Sequence, residues 1–205
     1  MISNYKTKKL EIITFSILLL LPIFIDSYYL DNISYFMCWT FISLGLAVIW
    51  GMGGILSFGQ TAFFGLAGYG FSVISINFLG IAGVSIWSVV LSLIITGIFG
   101  MIVGYFLFYG GIYDVFIGIV TLAITLVLET FMQQTAGPEY AIGSARLNGF
   151  NGMQGMPTIG FESLQFGLLE GVTQYYFILL LAIVILISLY KFKQSKIGLV
   201  FLASK

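Results

Sequence analysis

Side chains that could do chemistry are scarce in this sequence of 205 residues. Histidine is absent and Cys38 is the single cysteine, so neither a Cys/His metal site nor an intrachain disulfide is expected. Asp114 and Glu129 share one apolar stretch, about 22 Å apart along a helix, which places each near an opposite membrane surface. No cofactor is expected, and a membrane enzyme is the weakest interpretation because paired midplane acids and nucleophile motifs are missing.

The composition predicts a membrane protein. Sixty per cent of the residues are hydrophobic, only 8% are charged, and the net charge is zero. So few charges cannot cover a soluble globule, and disorder requires low hydrophobicity. The absence of a long basic run makes nucleic acid an unexpected partner. The sequence therefore predicts an all-α integral membrane protein whose surroundings are a lipid bilayer.

Uncharged stretches give the number of membrane spans. Between Asp31 and Asp114 there is no Asp, Glu, Lys or Arg, and one span needs about 20 apolar residues. We predict a single transmembrane domain over residues 1–205, with about six spans at 10–30, 33–50, 61–79, 84–108, 112–133 and 172–190.

Lysines predict the orientation of these spans. They precede the first span and follow the sixth, at Lys6, Lys8, Lys9, Lys191, Lys193, Lys196 and Lys205. The positive-inside rule then places both termini in the cytoplasm and the long segment Gln134–Gly171 outside. The N-terminal stretch could imitate a signal peptide, but no small-x-small cleavage pattern follows Pro22, which favours an uncleaved anchor.

The segment 51–60 is rich in glycine, and we predict that its backbone is irregular. Gly51, Gly53, Gly54 and Gly59 are too dense for a plain helix, and Ser57 and Gln60 add polar groups. Two interpretations are open: a tight turn with close helix packing, or a broken helix that lines a solute pathway. Ala62, Gly65 and Gly68 recur every three residues, and we expect them to allow close helix packing.

The segment 134–171 is much longer than an ordinary connection and carries many glycines. It is either a cap packed over its own helices or a gate and docking face for an external protein. We expect Arg146 to form a salt bridge with Glu139 or with a partner. Glu129 is open to three interpretations: an interfacial carboxylate, a residue at the outer mouth of a pathway, or a buried proton-coupling site.

Three runs of sequence resemble a known family. Gly54–Tyr69 resembles the signature of inner-membrane permeases of branched-chain amino acid ABC importers, and is most similar to the LivM-type subunit. Relatives of that subunit include urea and amide permeases. Gly149–Pro157 resembles the family's external Gly-x-Asn-Gly-x-x-Gly-x-Pro segment. Ser195–Gly198 is similar to its cytoplasmic Ser-x-x-Gly-Arg run, although Leu199 replaces the arginine.

The resemblance implies a permease subunit in a bacterial-type inner membrane. It implies a sister permease, cytoplasmic ATPase subunits, an external solute-binding protein and a small polar solute. Because the family usually continues for about another hundred residues, we expect the chain to be C-terminally truncated. Candidate pathway or gate residues are Gly53, Gly54, Ser57, Gly59, Gln60 and Glu129. Candidate external-gate or binding-protein contacts are Arg146, Asn151 and Gly152. Candidate ATPase-facing residues are Ser195, Lys196 and Gly198.

Two other functions remain open. The chain could be an independent channel or secondary transporter, whose activity would survive ATP depletion. It could also be a non-transporting remnant that only associates with a partner permease.

Overall fold

A computed structural model describes Lys9 and residues 13–113, 115–160 and 170–203. Asp114 and residues 161–169 of the predicted external segment lie outside the described residues. The described part of the chain contains seven helices and one two-stranded hairpin, β1 (Ala141–Ile142) with β2 (Ala145–Arg146). The helices are α1 (Ile13–Ile23), α2 (Ser27–Gly53), α3 (Gln60–Asn77), α4 (Val84–Tyr109), α5 (Val115–Gln133), α6 (Gly171–Gln194) and α7 (Lys196–Ala203).

Each of the six predicted spans contains a helix, and the all-α membrane class is confirmed. In the described residues, α2, α4, α5 and α6 are long and apolar enough to cross a membrane. α1 is shorter, and α3 has 18 residues with Gln60 and Asn77 at its ends. Most large apolar side chains of the bundle are exposed, as expected for helices that contact lipid or other membrane chains.

The first predicted boundary differs from the structure. The sequence predicted a break at residues 31–32, but α1 ends at Ile23 and α2 begins at Ser27. Pro22 has no backbone N–H to donate to the Leu18 carbonyl, and a final 3₁₀ turn closes α1. Asp26 precedes α2 in an extended conformation, so the polar pair at 31–32 falls within α2.

Two tyrosines of α6 bind the backbone of α1 near its proline. The Tyr175 hydroxyl donates to the Leu18 carbonyl over 2.6 Å, and the Tyr176 hydroxyl donates to the Leu19 carbonyl over 3.1 Å. Tyr175 is fully buried and packs against Leu30 of α2. Tyr175 therefore supplies the hydrogen bond that Pro22 cannot give, and it joins α1, α2 and α6.

The bundle is built on two helix pairs, α2 with α6 and α3 with α4, which form its most extensive helix contacts. Small side chains fill the α3–α4 interface. Gly70 lies against Ser92, so that an added Cβ would come within 3.2 Å of the serine Cβ. The buried serines of these two helices are Ser72, Ser75, Ser85, Ser88 and Ser92. Within the described part of this chain, the expected close packing is not found at Gly65 or Gly68, because a Cβ at either would have no atom within 4 Å.

The segment that follows α5 packs over one end of the bundle, which we call the loop end. The Asn77 amide at the end of α3 donates to the Ile142 carbonyl over 2.7 Å and accepts from the Ser144 N–H over 2.8 Å. The Ser85 hydroxyl donates to the Gly160 carbonyl and accepts from the Gly160 N–H. The described part of this segment is thus a cap held by the ends of α3 and α4. The opposite end, which carries α7, is called the α7 end.

We expect Tyr175→Phe to destabilise the bundle by about 1–3 kcal/mol, because it leaves the Leu18 carbonyl unpaired in a buried site. Unfolding of the purified chain in mild detergent measures this loss. Tyr176→Phe is the matched control: its longer bond lies at an exposed site, so a smaller loss is expected. Equal losses for the two variants would contradict a special role for Tyr175.

Candidate functional site

A helix interruption between α2 and α3 contains most of the predicted pathway residues. α2 continues through Gly51 and Gly53, so the irregular backbone covers residues 54–59 and the predicted range of 51–60 is corrected. Gly54 ends α2 in a left-handed conformation with φ of 71°, which favours glycine. Its N–H donates to the Trp50 carbonyl, and the chain then extends to Gln60.

Two threonines of α5 pair with the backbone of Phe58 in this interruption. The Phe58 N–H donates to the Thr121 hydroxyl over 3.0 Å, and the Thr125 hydroxyl donates to the Phe58 carbonyl over 3.1 Å. Gly118, one turn before Thr121, lies against the Leu56 carbonyl, where a Cβ would stand 3.4 Å from the oxygen. One face of α5 therefore holds this extended backbone, and its hydroxyls pair the N–H and the C=O of Phe58 without water.

The interruption lies inside the bundle. Gly70 faces Ser92, and the rings of Phe63 and Phe99 lie 5.8 Å apart, which shows that α3 and α4 run antiparallel. This register places the start of α3, at Gln60, about 10 Å short of the end of α4 at Tyr109, at 1.5 Å per residue. α2 begins and α3 ends at the loop end, so residues 54–59 reverse the direction of the chain between two antiparallel helices. A solute pathway along this segment stays a prediction.

A cavity of about 350 Å³ opens between α3 and α5, on the loop-end side of the interruption. It extends about 12 Å along α3, from Thr61 to Tyr69. Its polar lining consists of Thr61, Tyr69, Thr125, Glu129 and Gln133, and its apolar lining includes Ala62, Leu66, Leu128 and Met132. Gly65 leaves room at its centre, and Gly149 and Phe150 of the cap lie at its edge.

Glu129 lines this cavity, and its place at the outer mouth of a solute pathway stays a prediction. Its carboxylate accepts a 3.0 Å hydrogen bond from the Gln133 amide, one turn later on the same helix. Its exposure to the cavity does not agree with a buried proton-coupling site.

Other predicted pathway residues lie below the cavity. Ser57 is buried, and its hydroxyl accepts a hydrogen bond from the Gly59 N–H. The Gln60 side chain lies against Gly45 of α2, where a Cβ would come within 2.7 Å of its amide oxygen. Ser57, Gly59 and Gln60 therefore build the base of the site, although none of them lines the cavity.

Gly53 and Gly54 do not join this cavity. Gly53 is covered by the ring of Phe201 from α7, so that a Cβ would lie 2.8 Å from the ring. Gly54 lines a separate hollow toward the α7 end, beside Leu56 and Val115. Gly54 ends α2, and Gly53 leaves space for Phe201 of α7.

The predicted ATPase-facing residues form the corner between α6 and α7. The Ser195 hydroxyl donates to the Phe192 carbonyl over 2.7 Å and accepts from the Gly198 N–H over 3.1 Å. A Cβ on Gly198 would collide with the backbone of α6. Lys196, the first residue of α7, is exposed. The serine and the glycine therefore set a tight helix crossing.

The predicted external-gate residues lie on the cap. Arg146 is an exposed residue of β2, and no ion pair joins it to Glu139 among the described residues. The Glu139 carboxylate lies against Gly137 instead. Asn151 is exposed and ends a 3₁₀ turn, Gly149–Asn151, at the edge of the cavity, and Gly152 follows it with φ of 70°. A contact between these residues and a binding protein stays a prediction.

Sequence reasoning missed the residues that define the site most directly. Thr121 and Thr125 stand one turn apart in an apolar helix, which is a usable signal for a polar contact in the membrane. Thr61, Tyr69 and Gln133 had no comparable signal, because they line a cavity only once α3 and α5 are parallel neighbours.

We expect Thr121→Val to destabilise the chain by about 1–3 kcal/mol, because the substitution leaves the Phe58 N–H without an acceptor. Unfolding in mild detergent measures the change. Thr130→Val, on the same helix but exposed, is the matched control and is expected to change stability little. A neutral Thr121→Val variant would show that the interruption does not depend on this bond.

Comparison with known proteins agrees with these features. A family model described as "branched-chain amino acid transport system / permease component" matches residues 28–205. Searches of curated proteins and of solved structures found no match. The matched range runs from the second residue of α2 through α7, so it includes both the interruption and the cavity. The chain belongs to the permease-component family of branched-chain amino acid transport systems, and it is a multi-pass membrane protein.

Proposed function

We propose that the chain is the permease subunit of an ABC importer and forms part of the path for a small polar solute. Separate ATPase subunits supply the energy, a sister permease completes the path, and an external binding protein delivers the solute. The chain itself has no enzymatic role. The observation that carries the proposal is the irregular segment 54–59 between α2 and α3, which lies directly below an open cavity.

The path follows the groove between α3 and α5. Solute enters at the loop end beside Phe150 and reaches Thr61 and Thr125 at the base of the cavity. The extended backbone at Phe58 lies beyond this base and forms the barrier. The hydroxyls of Thr121 and Thr125 hold this barrier by one hydrogen bond each to the backbone of Phe58. A modest rearrangement of α5 can therefore release it.

The loop end faces the outside of an inner membrane, and both termini face the cytoplasm. Lysines at the α7 end support this orientation through the positive-inside rule, since Lys191, Lys193 and Lys196 all lie there. The corner between α6 and α7 then faces the ATPase subunits. The contact of Phe201 with Gly53 supports such a role, because it joins α7 to the residue just before the interruption.

Purification of the natively expressed, tagged chain in mild detergent tests the assembly. We expect mass spectrometry of the retained proteins to identify an ATPase and a second permease, and we expect cellular uptake of a branched-chain amino acid to stop on ATP depletion. Uptake that survives ATP depletion would indicate an independent channel or secondary transporter. A chain that assembles but whose deletion leaves uptake unchanged would be a non-transporting remnant.

Variants at the base of the site test the path. We expect Gln60→Ala and Gly54→Leu to reduce uptake several-fold at normal membrane levels. Gln60→Ala removes the side chain that lies against Gly45. Gly54→Leu places a side chain on a backbone in the left-handed conformation, which strains it. Gly51→Ala is the control, since a Cβ there meets no atom within 4 Å. Unchanged uptake in both test variants would contradict the placement of the path.

A further inference from the structure

A groove lies on the outside of the bundle where α1 is joined to α2, at the loop end. Its volume is about 450 Å³, within the range of small-molecule sites. The connection between the helices contributes Phe24 and Asp26, and the first three turns of α2 contribute Tyr29, Asn32 and Phe36. None of these residues lines the cavity between α3 and α5, so the groove is a separate feature of the molecule.

The groove begins at a charged residue and ends at an aromatic one. Asp26 precedes α2, and Phe36 lies about 15 Å further along the helix, at 1.5 Å per residue. The rings of Phe24 and Phe36 are 81% and 67% exposed, so the groove faces the lipid and not the protein interior. This order matches a phospholipid, whose charges lie at the membrane surface and whose apolar chains lie below it.

The charge of the groove favours a cationic group. The Asp26 carboxylate makes no hydrogen bond to the first turn of α2 and has no partner among the residues that the structure describes. No basic residue is among the described residues that line the groove. An anionic headgroup would therefore be repelled, and a cationic one attracted. A single carboxylate supplies too few oxygens for Ca²⁺, which takes about six to eight.

The remaining lining favours a primary ammonium. The Asn32 amide nitrogen donates to the Tyr28 carbonyl over 3.0 Å, which fixes the amide and leaves its oxygen without a partner in the described part of the chain. A primary ammonium has three N–H donors for such acceptors, whereas a quaternary ammonium has none. The rings of Phe24 and Tyr29 line the same groove and can stabilise a cation through their faces.

We propose that this groove binds one molecule of a phospholipid with an ethanolamine headgroup, and that Asp26 binds its ammonium. Asn32 offers a second acceptor, and Ile33 and Phe36 contact the upper part of an acyl chain. The lipid then lies against both the α1–α2 connection and α2, and it stabilises their junction. This binding does not depend on the transport function proposed above.

Native mass spectrometry of the purified chain, together with any subunits that it retains, tests the site. The probes are phosphatidylethanolamine, phosphatidylcholine and phosphatidylglycerol with identical acyl chains, added in equal amounts. We expect phosphatidylethanolamine to be retained most strongly, and we expect Asp26→Asn to weaken its binding about tenfold. Asparagine is also a good N-cap residue, so the start of α2 is kept.

Asp31→Asn is the matched control, because Asp31 is exposed on the same helix and does not line the groove. It should bind the lipid as the unmodified chain does. Phosphatidylethanolamine should also raise the unfolding temperature of the unmodified chain more than phosphatidylcholine does, and Asp26→Asn should remove this difference. Equal retention of the three lipids, or retention that Asp26→Asn does not weaken, would overturn the proposal.

A second pair of variants tests the aromatic lining. Phe24→Leu removes a ring from the groove and should weaken phosphatidylethanolamine binding about two- to fivefold. Phe78→Leu makes the same change at an exposed loop-end residue outside the groove, and it should have no effect. Equal effects of the two substitutions would indicate general contact with lipid at the membrane surface and would overturn a specific site.

The soluble headgroup distinguishes a lipid site from a site for free amines. Glycerophosphoethanolamine lacks the acyl chains, and we expect it to displace the lipid at least tenfold more weakly than an equal concentration of phosphatidylethanolamine does. Displacement by glycerophosphoethanolamine or by L-leucine at the same concentration as the lipid would assign the groove to a water-soluble amine and overturn the proposal.

Discussion

The structure depends on one constraint: inside a bilayer, every backbone N–H and C=O needs a partner that is not water. A plain helix meets this need within itself, but this chain interrupts its helices at Pro22 and at residues 54–59. At both places a neighbouring helix donates or accepts through a hydroxyl. Tyr175 serves the carbonyl of Leu18, and Thr121 and Thr125 serve Phe58.

These hydroxyls determine which helices must be neighbours. Apolar packing alone gives little preference in lipid, because lipid tails are as apolar as leucine. α6 lies beside α1 because its tyrosine completes the backbone there, and α5 lies beside the interruption for the same reason. At the loop end, Asn77 and Ser85 bind the cap in the same manner. The polar side chains of a largely apolar sequence thus specify the arrangement of its helices.

The sequence predicted the helical membrane fold and the region of the site because hydropathy and glycine density are local properties. Each predicted span contains a helix of the structure, and the predicted irregular segment includes Gly54, where α2 ends. It misplaced the first boundary, because Asp31 and Asn32 resemble a loop whereas Pro22, with its missing N–H, ends the helix. It also assigned close packing to Gly65 and Gly68, which leave open space instead.

The cavity could not be predicted, because its lining depends on tertiary contacts between distant segments. Thr61 and Tyr69 meet Thr125 and Gln133 only because α3 and α5 are parallel neighbours. Glu129 was a candidate since a carboxylate in an apolar stretch is unusual. Its hydrogen bond to Gln133 follows from the spacing of one helical turn.

The two helix pairs differ in how they are joined. Contacts within each pair are extensive, whereas α2 and α3 touch much less although they are consecutive in the chain. The bundle is therefore two closely packed helix pairs, and the glycine-bearing segment 54–59 joins them along the chain. The smaller contact between α2 and α3 allows one helix pair to slide past the other. The serine-lined α3–α4 interface can stay intact during such a shear motion. The connection between the two pairs is then the same segment that we propose as the barrier to the solute.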